Sequence, residues 1–490
     1  MTEEKQTVSK TNYIISLIVV AIIGVLGAGG AYFVGVWQGS PVRQSGSTSI
    51  TVTGQPLDDE LSLDDIEAMY HTLMNHYYEE VDSKTLIEGA LEGMADSLGD
   101  PHTAFLNSVD TAELNDSISG SFEGIGAEVM KDGDAVRIMS PIADSPADKA
   151  GLQADDLILE VDGQSVQDLN VTEAVQLIRG EKGTEVNLKL RRNEEEFTLA
   201  VTRDTIPLES VKTKIDESDQ SIGHVHITRF NSTTYDELVA AIKELQSQNV
   251  EKFIFDVRGN PGGLLDVAIK MGNIFVDNGE PIMQIQADET EQPHVFLASD
   301  EYGDFKFDRS QYEAVLLVNE GSASASEILA GAMQHAGYPI IGTPTYGKGT
   351  VQTIQELSGH TEVKFTHQIW RTASGGFINE KGVMPDEEVE RSQYGDLLIV
   401  DAEATYKLGD QSQEVENINR ILNMLGYDVT VSDQFTEQTK TAIEQIQTEH
   451  QLNVTGVVHD STAMTLMRLV QEYFSEHDDQ YDYAVDKLQD

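Results

Sequence analysis

The sequence predicts a multidomain fold: an N-terminal transmembrane helix, a small β-rich module, an α/β domain and a small C-terminal three-helix module. Three observations predict this. Ile14 to Val36 is an uncharged, mostly apolar run of 23 residues, long enough to cross a bilayer as a helix. Between 117 and 204, short alternating segments such as "AVRIMS", "NLKLRR" and "FTLAVTR" read as strands, with one amphipathic helix at Val171 to Arg179. Between 205 and 392, strands such as "KFIFDVRG" and "AVLLVN" alternate with helical periods at 234–247 and 264–274, which is the pattern of an α/β domain.

Taken in order, residues 1–13 form a short tail and 14–36 the span. Lys5 and Lys10 precede the span and Arg43 follows it, which weakly places the tail in the cytoplasm and everything after Trp37 outside. A cleaved signal peptide is the competing reading of 14–36. Its apolar region is usually shorter and ends at a small-residue site, so the length favours a retained anchor. Residues 37–60 are rich in Gly, Ser and Thr and read as a flexible linker. Residues 61–116 are largely helical in period, with Ile66, Met69, Tyr70, Leu73 and Tyr77 on one face. The turn residues "GDPHT" at 99–103 interrupt that period. After the α/β domain come a polar linker at 393–410, three helical periods within 411–472 and an acidic tail at 473–490.

The totals bound what such a chain can do. Its 490 residues allow two to four domains. The 84 acidic residues against 32 Lys plus Arg give a net charge of −52. That argues against nucleic acid as a partner, because phosphate binding needs clustered cations. The absence of cysteine removes both disulfides and thiol chemistry, and a chain this long can bury its cores without staples.

The candidate chemistry begins with "VLLVNEGSASASEILAGA" at 315–332, where Ser322, Ser324 and Ser326 crowd a strand-to-helix junction. Ser324 and Glu327 fit a capping box before an apolar helix. The alternative is that Ser324 is a nucleophile. "DVRGNPGG" at 256–263 follows an apolar strand and opens a helix. Its glycines allow backbone N–H groups to approach developing negative charge; otherwise they simply make a turn. In "TYGKGTVQ" at 345–352, Lys348 sits between two glycines in an apolar neighbourhood. A lysine that loses solvation becomes a neutral base, whereas an exposed one is an ordinary turn residue. If that segment is a strand, Gln352 shares a face with Lys348 and its amide could hold the amine.

Five motifs in order, "FEGIGAEV", "DVRGNPGGLL", "NEGSASASEILAGA", "YGKGTVQ" and "GVMPDEEV", lie within residues 60–390. Together they resemble the carboxyl-terminal processing (tail-specific) proteases. The resemblance implies a crotonase-like α/β serine peptidase domain with a PDZ domain beside it and no cofactor. It implies Ser324 as nucleophile, Lys348 as general base and Gln352 as its partner. N–H groups of Gly262 or Gly263 and of Ala325 would form the oxyanion hole. Tyr346 stands where that family usually has Phe. Residues 117–204 resemble the PDZ domain, with Gly124, Ile125 and Gly126 as the loop that takes a peptide's terminal carboxylate. Arg179 is either a relay of peptide binding or a charge at a helix end. Residues 411–472 resemble a peptidoglycan-binding module, although the usual D-G-x-F-G turn is altered to "SDQF" at 432–435.

The implied function is a membrane-anchored, extracytoplasmic endopeptidase acting on proteins or peptides with free C-termini, with peptidoglycan as a second partner. The oligomeric state is left open, a homodimer among the options. The rival reading is an inactive scaffold of binding modules, which need not keep Ser324, Lys348 and Gln352 together. His224 and His226 in "HVH" could ligate a metal, but no third ligand is near in sequence, so no metal is expected. His102, His335, His360 and His367 lack an acid–base setting that would displace Lys348.

Overall fold

The computed structural model describes residues 61–390, 397–402 and 404–489. The tail at 1–13, the span at 14–36 and the linker at 37–60 lie outside them. No helix among the described residues is long and apolar enough to cross a membrane.

The chain divides into two units, residues 1–81 and 82–490. The described part of the first is one helix, Leu63–His76, started by Ser62, whose backbone N–H donates to Asp65 Oδ2 at 2.7 Å. Its apolar residues Leu63, Ile66 and Met69 are exposed. The second unit opens with another helix, Ser83–Asp96, capped by Asp82, which accepts from Thr85 N–H at 3.0 Å. The helical period that runs from 61 up to the 99–103 turn is therefore two helices, because Asp82 offers its own side chain to a new N-terminus.

The α/β domain is built on a six-stranded sheet. Its strands Ile222–Ile227, Lys252–Asp256, Glu313–Val318 and Ile340–Gly342 are parallel neighbours, with Val211–Ile215 antiparallel at one edge. A second, antiparallel sheet runs Ala104–Leu106, Glu362–Thr372, Pro281–Gln286, His294–Leu297, and Thr350–Glu356 also pairs with Glu362–Thr372. The helices Leu265–Phe275 and Ala325–His335 pack on these sheets around Phe253, Phe255, Phe275, Leu329, Met333 and Trp370. The first strand of the second sheet comes from the N-terminal region, with Ala104 opposite Lys364 and Leu106 opposite Glu362. The domain thus recruits a strand from far upstream of residue 205.

A parallel sheet must be covered on both faces. Here Phe253 and Phe255 point into the main core, while Ile254, Val315, Leu317 and Ile341 point to the other face. What covers that face is the C-terminal helix, Asp479–Gln489, through Ala484, Val485 and Leu488. The expected acidic tail at 473–490 is therefore not a tail. Tyr481, Ala484, Val485 and Leu488 recur at helical spacing and form an apolar stripe. Charged residues around that stripe find partners on the domain: Asp478 grips Arg258 through two contacts of 2.7 Å, and Lys487 reaches Glu387 at 2.5 Å.

The β-rich module is an antiparallel sheet closed over Val136, Ile138, Ile158, Leu188 and Leu190. It hangs from a two-stranded stem in which Ser121–Gly124 pairs with Asp204–Pro207. The three-helix module uses Gln413–Met424, Glu437–Glu449 and Ser461–Glu476. Its altered turn still buries Phe435, and Asn419 Nδ2 holds the carbonyls of Ser432 and Gln434 at 2.7 and 2.9 Å. Val400 joins this core and Leu398 exchanges two hydrogen bonds with Asn417. The segment expected as a linker thus begins the module by residue 397.

Candidate active site

The three serines do three different things. Ser322 is fully buried; its hydroxyl donates to the Val257 carbonyl at 2.8 Å and accepts from Asn319 N–H at 3.0 Å. Ser326, equally buried, donates to the Asn260 carbonyl at 2.9 Å. Both therefore tie the 256–263 loop to the junction. Ser324 between them is partly exposed. Its backbone is left-handed, with φ +54°, a conformation a non-glycine residue adopts only under restraint.

The restraint is Glu327, whose side chain is fully buried. Its Oε2 accepts from Ser324 N–H at 2.7 Å and from Lys348 N–H at 2.9 Å. Its Oε1 accepts from Thr345 Oγ1 at 2.6 Å and Gly347 N–H at 2.7 Å. One carboxylate oxygen thus holds the backbones of Ser324 and Lys348 side by side. In the sequence Glu327 reads only as a capping partner. The available signal was an acid followed at once by Ile328, Leu329 and Ala330 in a helix with no exposed turn.

Lys348 is half-buried in an irregular loop. Burial lowers its pKa, the Lys364 charge lowers it further, and Glu327 and Asp100 oppose the shift. The flanking glycines are there for room. A Cβ on Gly347 would lie 2.7 Å from Lys381 N, and one on Gly349 would lie 2.8 Å from the Asn379 Cβ. Trp370, 1% exposed, covers the loop and donates through Nε1 to the Lys348 carbonyl at 2.8 Å.

Gln352 does not reach its place by simple strand alternation from Lys348. The strand starts at Thr350, and a bulge interrupts it between Val351 and Gln352. The Gln352 amide donates both hydrogens, to Thr350 Oγ1 at 3.0 Å and Thr366 Oγ1 at 3.1 Å.

Gly262 packs directly under Ser324; a Cβ there would stand 2.9 Å from the Ser324 Cβ. Its N–H is already given to Asn260 Oδ1 at 2.9 Å, which removes it from the expected pair of oxyanion donors. Among the described residues no acceptor faces the N–H of Gly263 or of Ala325, the first residue of the helix. Those two donors remain open, Ala325 directly after Ser324 and Gly263 directly after Gly262.

In the β-rich module, Gly124 ends the stem strand, Ile125 is buried in the core, and Gly126 turns the chain. Their carbonyls are used: Ile125 accepts from Ala147 N–H and Gly126 from Ile142 N–H and Ser145 Oγ. No acceptor among the described residues takes the N–H of Ile125 or Gly126, so the loop keeps its donors open. Arg179 is directed elsewhere. It forms an ion pair with Asp116 and lies over the Phe122 ring at 4.9 Å, so it ties the module to the helix Ser108–Ser119. A cleft of about 600 Å³ opens between module and α/β domain, lined in part by Glu128, Ser145, Thr228 and Asn231. Ser324, Lys348 and Gln352 do not line it.

His224 bonds Asp256 at 3.1 Å and packs edge-on against Tyr481. No cluster of three metal-ligating side chains occurs among the described residues. His102 is close enough to Lys348 to feel its charge; burial first, and Lys348 next, lower its pKa.

Comparison with known proteins places these features. Residues 221–389 match the model of peptidase family S41 and residues 137–192 a PDZ domain. Residues 24–110 match the N-terminal domain of the activating protease CtpB, and residues 411–466 a peptidoglycan binding domain. The chain is 38% identical to the carboxy-terminal processing protease CtpA of Bacillus subtilis (strain 168), over 91% of this chain and 94% of that one. It is 36% identical to a probable CtpA-like serine protease of Staphylococcus haemolyticus (strain JCSC1435), over 89% of this chain and 87% of that one. Among solved structures, a photosystem II D1 C-terminal processing protease is 29% identical, covering 67% of this chain and 87% of its own, with a TM-score of 0.39. This chain therefore belongs to the carboxy-terminal processing proteases, serine peptidases of family S41 that carry a PDZ domain.

Proposed function

We propose that the chain is a membrane-anchored endopeptidase whose catalytic part lies outside the cytoplasm and cleaves protein substrates near their C-termini by a Ser324–Lys348 dyad. The observation that carries this is the shared grip of Glu327 on both backbones. It supports a partly exposed, conformationally restrained serine working with a lysine whose pKa is lowered by burial. The neutral Lys348 amine takes the Ser324 proton as the hydroxyl attacks the peptide carbonyl. The N–H groups of Gly263 and Ala325 stabilise the oxyanion. Lys348 then protonates the leaving amine, and water releases the acyl group. Gln352 steadies the amine.

The 14–36 run supports the anchor, the open N–H groups of Ile125 and Gly126 support capture of a substrate's terminal carboxylate, and the three-helix module supports a peptidoglycan contact. Substrate gating through the Arg179–Asp116 pair belongs to the same reading. The test is to incubate the purified chain with an unstructured protein that ends in apolar residues, free or amidated at its C-terminus. Mass spectrometry should show trimming of the free form, slower trimming of the amidated form, and none with Ser324→Ala. Equal cleavage of both forms would remove the carboxylate from recognition.

Glu327→Gln is expected to lower kcat about a hundredfold, because a displaced nucleophile or base costs that much even at about 1 Å. The new NH2 group would face N–H donors where an oxygen accepted before. Some stability is also lost, since each orphaned buried donor costs about 1–3 kcal/mol. Steady-state kinetics together with urea unfolding would show both effects.

The pH dependence follows from the direction of the Lys348 shift. A base must be neutral, so kcat/KM should rise with pH along a limb lying below the ordinary lysine range. Between the lowered native pKa and the unfolded one, the unfolded chain binds the extra proton, so stability also rises with pH across that window. A kcat/KM profile from pH 6 to 10, compared with melts over the same range, checks both signs.

A further inference from the structure

The "GDPHT" turn has no part in the mechanism above, yet the strand Ala104–Leu106 carries it against the strand Glu362–Thr372, beside Gln352. Asp100 Oδ2 accepts from Thr366 Oγ1 at 2.6 Å and from Thr103 Oγ1 at 2.6 Å, and its Oδ1 accepts from His102 N–H at 3.0 Å. Thr366 Oγ1 in turn accepts from Gln352 Nε2 at 3.1 Å. We infer that Asp100 and Thr366 are positioning residues of the active site, which fix the direction of the Gln352 amide so that its oxygen faces the Lys348 amine.

This deepens the dyad reading and rests on Lys348 being the base. Burial pushes the Asp100 carboxyl up, but the bonds from Thr103, Thr366 and the His102 N–H outweigh it and hold its pKa at about 2. Asp100 is then a carboxylate and can only accept. The single hydroxyl hydrogen of Thr366 is therefore committed to Asp100. What remains at Thr366 Oγ1 is acceptor capacity, so the amide atom facing it must be the NH2 group. The second amide hydrogen goes to Thr350 Oγ1 at 3.0 Å. Oε1 is left as the atom of this amide without a partner among the described residues. Take away the carboxylate and the Thr366 hydroxyl can donate instead, allowing the amide to turn over and present NH2 to the base. A mere staple between turn and sheet would not need this chain, because Thr366 N–H already donates to Thr103 Oγ1 at 3.2 Å.

The charges facing Lys348 are Lys364 on the strand, Glu327 on the helix, and Asp100 and His102 on the turn. Removing the Asp100 charge favours the neutral amine, so the alkaline-rising limb should move to lower pH while its plateau falls. A residue that only supports the fold would lower activity without moving the limb.

The experiment is a double-mutant cycle in the full chain, using a fluorogenic peptide with an apolar free C-terminus. Thr366→Val should lower kcat about tenfold or more with KM nearly unchanged, and Thr366→Ser should restore it. In a Gln352→Ala background, Thr366→Val should change kcat by less than about twofold, since the two act as one unit. Asp100→Asn should shift the pH limb downward. Thr366→Val losses that simply multiply with those of Gln352→Ala, or an unmoved limb in Asp100→Asn, would overturn the positioning role while Lys348→Ala stayed inactive. An active Lys348→Ala enzyme would instead sink the base assignment and this inference with it.

Discussion

Ser324→Ala and Lys348→Ala are each expected to abolish peptide cleavage, with a fall of roughly 10³-fold or more in kcat/KM, while the chain still unfolds at its usual temperature. Ser324 is partly exposed and its hydroxyl supports no distant carbonyl, so removing the oxygen leaves the packing intact. Lys348 is anchored through its backbone, by Glu327 at its N–H and Trp370 at its carbonyl. Shortening its side chain leaves both anchors in place. On the proposed dyad the two residues act as one unit, and the double mutant should be little worse than either single mutant. Ser322→Ala and Ser326→Ala should give the opposite pattern. Ser322→Ala orphans the buried Asn319 N–H and costs about 1–3 kcal/mol of stability, and Ser326→Ala removes one of the two bonds to the Asn260 carbonyl and costs about 0.5–1.5 kcal/mol, each with a smaller loss of rate. Kinetics and melts on the four variants separate the two patterns.

Deleting residues 478–490 is expected to destabilise the α/β domain severely. Burial of Val485 and Leu488 is worth about 1.5–3 kcal/mol each, and their loss would bare Ile254, Val315, Leu317 and Ile341 to water. The loss also touches the site. Arg258, 9% exposed, sits between Asp256 and Asp478, two residues before the Asn260 that orients Gly262. Without Asp478 the buried guanidinium keeps one carboxylate where it had two. Asp478→Ala isolates that contact from the lost helix, and should lower activity with a modest fall in melting temperature. Thermal unfolding and light scattering of the truncated chain would show early unfolding and aggregation. A truncated chain as stable as the full one would mean that the helix merely rests on the sheet.

The family was legible because its motifs are short and local. The serine run, the glycine loop and the Gly-Lys-Gly segment each read equally as a cap or a turn when taken singly, and only their order along the chain points to the family. Non-local pairings were not legible. Glu327 read as a helix cap, since nothing in a local pattern says that its second oxygen meets a loop twenty residues on. Gly262 and Gly263 read as equivalent donors, and only the Asn260 side chain distinguishes them. Asp100 read as part of a turn, because the strand that brings it to Thr366 is three residues long. The acidic residues at 473–490 hid an apolar stripe of four residues, and a sheet face needing cover cannot be seen from the strands alone.

The most direct test of the account is to trap the acyl-enzyme. A peptide ester is mixed with excess enzyme, quenched in acid within a single turnover, and digested, and the acylated residue is located by mass spectrometry. The acyl group is expected on Ser324, appearing at a rate that rises with pH along the Lys348 limb, and absent from Lys348→Ala. An acyl group on Ser322 or Ser326, or turnover with no covalent intermediate at any pH, would contradict it.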